Sequence, residues 1–241
     1  MKVLGFKVFE QELNTIDLNN KIIINTLNAS AFVWSKKDDD YKNALLKSDI
    51  LLPDGIAVTI AARLLLNKKI RKQSGEDIFY YLLNEVNNKK ETCFFLGSSQ
   101  LVLDRINKRI NNEFPDIKIE RYSPPFRNTF SEEDMNEMIR RINSISPFVL
   151  FVGISAPKQE KLIFKMGEQL NVNIICNIGA VFEFYAETLK RPSAFWRHLG
   201  LEWLIIWFID PKRLRKKEYI SIFLFLLLLL KEFYILKKKK K

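Results

Sequence analysis

A chain of 241 residues, 47% hydrophobic and 28% charged, can bury one sizeable core and is too apolar to remain disordered. Its net charge of +11 is concentrated at one end: Pro211 to Lys241 holds 11 Lys/Arg and 2 Asp/Glu, leaving 28 basic against 26 acidic residues in the first 210. The near-neutral body lacks a basic patch interleaved with aromatics, which argues against nucleic-acid binding, and Cys93 and Cys176 lie inside apolar runs rather than in a disulfide or thiolate-metal spacing. The first twenty residues carry scattered charges and no uninterrupted apolar core, so they do not read as a secretory signal, and residence in the cytosol is expected.

From about Lys21 to Ala186, short apolar runs alternate with longer segments of helical periodicity. The expected strands are Ile22 to Leu27, Ile50 to Leu52, Thr92 to Leu96, Ile117 to Tyr122, Phe148 to Val152 and Val172 to Ile178. Most are continuously apolar, as suits parallel strands covered on both faces. The expected helices are Ala31 to Lys47, Ile56 to Leu66, Glu76 to Asn87, Gln100 to Asn112, Glu132 to Asn143 and Lys158 to Gln169. Ser74 with Asp77, and Ser131 with Asp134, are start signals in which a hydroxyl accepts a backbone N–H. Pro157 suits a first helical turn, and the Gln and lysines of Ala156-Pro157-Lys158-Gln159-Glu160-Lys161 stand where a strand hands over to a helix. The pattern βαβα predicts a doubly wound α/β sheet.

In such a sheet ligands bind beyond the carboxyl ends of the strands. Thr26 and Asn28, Pro53-Asp54-Gly55, Gly97-Ser98-Ser99, Gly153 to Gln159, and Asn177 with Gly179 all follow strands and should converge on one crevice. Asp54 reads either as a turn residue or helix N-cap, or as a general base able to take the proton of a hydroxyl. Gly97-Ser98-Ser99 lacks the lysine and spacing of a P-loop, leaving contact with a diphosphate or sugar, and no GxGxxG fingerprint is present. The one histidine, His198, lies outside the alternating body, which excludes a histidine-based nucleophile triad or a His-rich zinc site in the crevice. Asp38-Asp39-Asp40 follows two lysines and reads as a solvated helix face rather than a metal site. No metal and no cofactor are expected.

Towards the end, Ile220 to Leu230 is an apolar run that as a helix spans about 17 Å, against a bilayer core of about 30 Å. Extending it to Leu236 includes Lys231-Glu232, and both flanks are strongly basic. The expectation is a segment lying in the interface of an anionic membrane, with a helix buried on the protein as the competing reading. Deletion of residues 218 to 241 is then expected to release the chain from anionic lipid while largely sparing its activity away from the membrane.

Six blocks in order, PDGIAVTIAARLL (Pro53 to Leu65), QSGEDIF (Gln73 to Phe79), VGISAPKQEK (Val152 to Lys161), NIGAVFEF (Asn177 to Phe184), KRPSAFWRHLGLEWL (Lys190 to Leu204) and DPKRL (Asp210 to Leu214), resemble the WecG/TagA/CpsF family of bacterial glycosyltransferases. The resemblance implies a Rossmann-like, mostly parallel core over residues 1–189, an appendage over 190–217 that completes the active site, and a membrane-associating tail over 218–241. It implies inverting, metal-independent transfer of N-acetylmannosamine or its uronic acid from a UDP-sugar donor to undecaprenyl-diphosphate-linked N-acetylglucosamine. The setting would be the cytoplasmic face of the cell membrane, in teichoic acid or other surface-polysaccharide synthesis, with homo-oligomerisation left open. Carried over residue by residue, Asp54 matches the base, Thr26 and Asn28 the first-strand pocket, and Gln159, with Gly153 ahead of it, the donor site. Arg191 and Arg213 match appendage arginines that meet diphosphate. Lys72 stands where the family usually has Arg, keeping the cation without the fork of a guanidinium. Ile206 and Lys216 replace two further arginines. The same fold acting on UDP-glucose or UDP-galactose, and a catalytically silent nucleotide- or lipid-binding protein, are the competing readings.

Overall fold

The structure, a computed structural model, describes residues 1–189, 193, 196 and 216–239. Arg191, Arg213, His198 and most of the appendage lie outside the described residues.

The chain opens with a small antiparallel hairpin, β1 (Lys2–Val3) and β2 (Phe6–Lys7), which sequence periodicity missed because two-residue strands carry no repeat. Six strands then form one sheet: β3 (Ile22–Leu27), β4 (Ile50–Pro53), β5 (Thr92–Gly97), β6 (Lys118–Tyr122), β7 (Val149–Gly153) and β8 (Ile174–Asn177). Their order is β4-β3-β8-β7-β5-β6, and every neighbouring pair is parallel. The doubly wound α/β architecture read from the sequence is the one found, with strand ends displaced by no more than two residues.

The helices are α1 (Ala29–Ser35), α2 (Asp39–Leu46), α3 (Ile56–Leu66), α4 (Gly75–Lys89), α5 (Gln100–Glu113), α6 (Glu132–Ile145), α7 (Lys158–Met166), α8 (Val181–Tyr185) and α9 (Lys216–Lys239). Both serine start signals are capping boxes, Ser74 with Asp77 on α4 and Ser131 with Asp134 on α6. The single helix expected over Ala31 to Lys47 is instead two. Asp38 takes an extended backbone and accepts the Tyr41 N–H at 3.0 Å, so a new helix starts where the sequence suggested a continuous charged face. Pro157 precedes α7 as its cap residue, after a cis peptide, rather than sitting in its first turn.

Alternation along the strands divides the core into two faces. Ile24, Leu52, Phe95, Phe151 and Cys176 pack under α4, α5 and α8, while Leu96, Leu150, Val152 and Ile175 pack under α6 and α7. Leu27 and Leu51 meet α1, α3 and the hairpin in a third cluster, which Phe225 and Leu229 of α9 complete. The α9 stripe Ser221, Phe225, Leu229 recurs every four residues and is buried, with Phe225 edge-on to Phe32 at 5.6 Å. Ile220, Phe223, Leu226, Leu227 and Leu230 on its other sides are exposed. The final apolar segment therefore packs on the protein along one stripe, as the competing reading had it, and leaves its other apolar sides exposed. Among the described residues, no helix is long and apolar enough to cross a membrane.

Candidate active site

The chain divides at the carboxyl end of β8. That strand runs into α8 on one face, whereas its neighbours β3 and β7 run into α1 and α7 on the other. A crevice opens where adjacent connections leave a parallel sheet in opposite directions.

Asp54 is placed here by two backbone bonds. Its own N–H donates to the Leu27 carbonyl at 2.9 Å, and the Gln73 N–H donates to the Pro53 carbonyl at 3.0 Å. The first bond sets the carboxylate beside the end of β3, where Thr26 and Asn28 lie. The second brings Lys72, Gln73 and the start of α4 to the same edge. The N-cap position of α3 is Gly55, at φ +85°, a conformation that a side chain disfavours. Asp54 is thus not the cap of that helix, and its half-buried carboxylate stands one residue before it. Thr26 and Lys72 are half-buried at the same rim. Asn28 has a structural duty: its Oδ1 accepts the Ala31 N–H at 2.9 Å and caps α1.

The glycine and serine positions also have packing or capping duties. A Cβ on Gly153 would lie 2.2 Å from Cδ2 of Phe182, which is fully buried and has nowhere to go. Gly153→Ala should therefore overpack the core by about 1–3 kcal/mol, which at about 2–4 °C per kcal/mol for a chain of this size is a visible fall in melting temperature. An unchanged melting temperature in the purified variant would show that Phe182 can move. Ser99 caps α5 by accepting the Val102 N–H, and Ser98 donates to Glu183 Oε1 at 2.8 Å. The Ser98–Glu183 bond ties the turn after β5 to α8 across the crevice wall.

Gln159 and Glu160 open α7 and are both buried, at 4% exposure each. Gln159 Nε2 donates to Glu160 Oε1 at 2.9 Å, while Gln159 Oε1 and Glu160 Oε2 are buried without a hydrogen-bond partner. Gly179 lies directly over the amide: a Cβ there would be 3.6 Å from Nε2 and 3.7 Å from Oε1. Burial pushes the Glu160 carboxyl up to about 7, with the bond from Gln159 pulling the other way. Sequence reading took Gln159 as a site residue and gave Glu160 no role. The lysines are turned outward, Lys158 to the Arg127 carbonyl and Lys161 to Asp38. Behind the same edge Asn177 Nδ2 donates to Asn25 Oδ1 at 2.7 Å, a buried amide pair between β8 and β3.

A separate hollow of about 470 Å³ lies between α4, α5 and α8, lined by residues including Glu76, Tyr80, Arg109, Tyr185 and Glu187. Its one arginine is already engaged by Glu113, Glu187 and the Tyr185 carbonyl, so the hollow offers less free chemistry than the crevice.

The model of the glycosyl transferase WecG/TagA/CpsF family matches residues 3–240. The chain belongs to that family. It is 30% identical over 221 residues, 92% of its length and 84% of the relative's, to an N-acetylglucosaminyldiphosphoundecaprenol N-acetyl-beta-D-mannosaminyltransferase of Bacillus subtilis (strain 168). Relatives of the same description in Bacillus spizizenii (strain ATCC 23059 / NRRL B-14472 / W23) and Staphylococcus aureus (strain NCTC 8325 / PS 47) are 27% and 22% identical over 85% and 86% of the chain, covering 78% and 79% of their own lengths. As a glycosyltransferase, the molecule carries its half-buried carboxylate at the carboxyl edge of a parallel sheet, the edge at which this architecture binds ligands.

Proposed function

We propose that this glycosyltransferase moves N-acetylmannosamine, or its uronic acid, from a UDP-sugar to N-acetylglucosaminyl-diphospho-undecaprenol with inversion at the anomeric carbon. The observation that carries the reading is the placement of Asp54, hydrogen-bonded through its backbone to the end of β3 at the carboxyl edge of the sheet, one residue before the cap position of α3. Asp54 takes the proton of the acceptor hydroxyl as its oxygen attacks the anomeric carbon from the face opposite UDP. The bond to the diphosphate breaks, and its electron pair leaves with UDP. Thr26 and Asn28 border the pocket at the end of β3, Gln159 contributes from the start of α7, and Lys72 meets diphosphate charge together with Arg191 and Arg213. The last two lie outside the described residues.

The division into a core over 1–189, an appendage over 190–217 and a tail over 218–241 belongs to the same proposal, as does attachment to the cytoplasmic face of the membrane. The exposed apolar sides of α9, with Lys231, Lys237 and Lys238 among its charges, suit an anionic lipid surface.

The residues named meet diphosphate charge with lysine and arginine, so transfer should persist in EDTA. A screen of UDP-sugars with a lipid-diphosphate N-acetylglucosamine acceptor, read by UDP release, tests both points. UDP-N-acetylmannosamine should be the active donor with chelator present. Preference for UDP-glucose or UDP-galactose would overturn the donor assignment, and loss of activity restored by Mg or Mn would overturn metal independence.

A further inference from the structure

Glu160, at the carboxyl edge of the sheet, is a buried carboxyl group that the proposed reaction does not use. Glu160 lies at the third position of α7, shielded from water, and its carboxylate accepts a hydrogen bond from the amide of Gln159. A carboxamide offers two N–H donors on one side and a carbonyl acceptor on the other. Whichever end is held by Glu160 decides which end is left over. Here the N–H end is held, and Oε1 is left as an unpartnered buried acceptor beneath Gly179. An orphaned buried acceptor costs free energy that a donor from a bound ligand can recover.

We infer that Glu160 is a positioning residue, whose carboxylate fixes the Gln159 amide so that Oε1 is the acceptor offered to a hydroxyl or N–H of the sugar nucleotide. This deepens the proposed transfer and rests on it. When Glu160 takes up a proton, its O–H becomes a donor, the amide turns to accept that bond, and the ligand meets an N–H in place of a carbonyl. Burial sets this change near neutral pH.

The groups around Glu160 leave it as the one that switches. From α2, Tyr41 faces it with a phenol kept neutral by burial and by the charges of Glu160 and Asp38. Asp38 and Asp40 are engaged by Lys161 at 2.9 and 3.8 Å, which draws that lysine away from its neighbour in sequence, and Lys47 lies over the Phe164 ring. From α6, which also packs on α7, Glu137 binds Arg140 and Arg141 in an exposed cluster. Asn25 and Asn177, from the sheet, are uncharged.

Two measurements test the inference. The first needs no activity: the side-chain amide protons of Gln159, followed by ¹⁵N NMR, should titrate with a midpoint near 7 in the wild type and show no such titration in Glu160→Gln. Amide resonances that ignore pH between 5 and 9 in the wild type, or that titrate equally in Glu160→Gln, would overturn it. The second is the pH profile of UDP release. Wild-type kcat/KM for the UDP-sugar should rise through pH 7, Glu160→Gln should flatten that limb while remaining active, and Glu160→Ala should raise KM about 10-fold with kcat changed less. A limb that survives in Glu160→Gln, or a wild-type KM in folded Glu160→Ala, sinks the positioning role. Absence of UDP release from the wild type, by contrast, counts against the proposed transfer, and the NMR titration still decides the state of Glu160.

Discussion

Asp54→Asn should fold as the wild type does and lose about 100-fold or more of its turnover, the usual contribution of a positioned general base. Folding should survive because asparagine is nearly isosteric and because the position is held by its backbone N–H on Leu27, which the substitution leaves in place. The amide cannot take the acceptor's proton, so the loss should fall on kcat, with KM for the UDP-sugar little changed. Steady-state UDP release from the purified variant, with its melting curve alongside, checks this. Wild-type turnover in the folded variant would remove Asp54 from the chemistry and return it to the role of a turn residue.

The second large effect separates the two sides of α9. Leu226→Asp with Leu230→Asp alters exposed positions, so the protein should stay folded and active on a short-chain soluble acceptor while its binding to anionic vesicles falls at least 10-fold. Phe225→Ala alters the buried stripe and withdraws the ring that meets Phe32, at a cost of about 3–5 kcal/mol, whether or not lipid is present. Deletion of residues 218 to 241 removes both sides at once and should lower stability as well as vesicle binding, contrary to the expectation from sequence that activity on a soluble acceptor would be spared. Vesicle co-sedimentation and thermal melts of the variants resolve the two. Undiminished vesicle binding by the double aspartate variant would exclude this face of α9 from membrane attachment.

The strands were legible because a parallel strand covered on both faces tends to be apolar throughout, and Val149–Gly153 shows this without interruption. Their order was not, since nothing local states that β8 lies between β3 and β7. The split between α1 and α2 was hidden because Asp38 suits both a solvated helix face and a cap, and the bond it makes to the Tyr41 N–H decides between them. On α9, apolar residues surround the helix, so periodicity could not pick out Phe225 and Leu229 as the buried stripe. Convergence of Asp54, Thr26 and Gln159 on one edge followed from the rule about strand ends, whereas the capping duty of Asn28 and the collision that fixes Gly153 depend on neighbours distant in sequence. Glu160 escaped notice because Lys158 and Lys161 flank it with a solvated pattern. A signal did exist: Gln159, Leu162, Ile163 and Met166 form one helical stripe, and a glutamine heading an apolar stripe is a polar group taken into the core.

The central claim is the transfer itself, and intact-lipid mass spectrometry of the product tests it most directly. With UDP-N-acetylmannosamine and a short-chain polyprenyl-diphospho-N-acetylglucosamine, the acceptor should gain one N-acetylhexosamine, and NMR of the released disaccharide should show a β linkage. UDP release without a glycosylated lipid, or an α linkage in the product, would contradict the account.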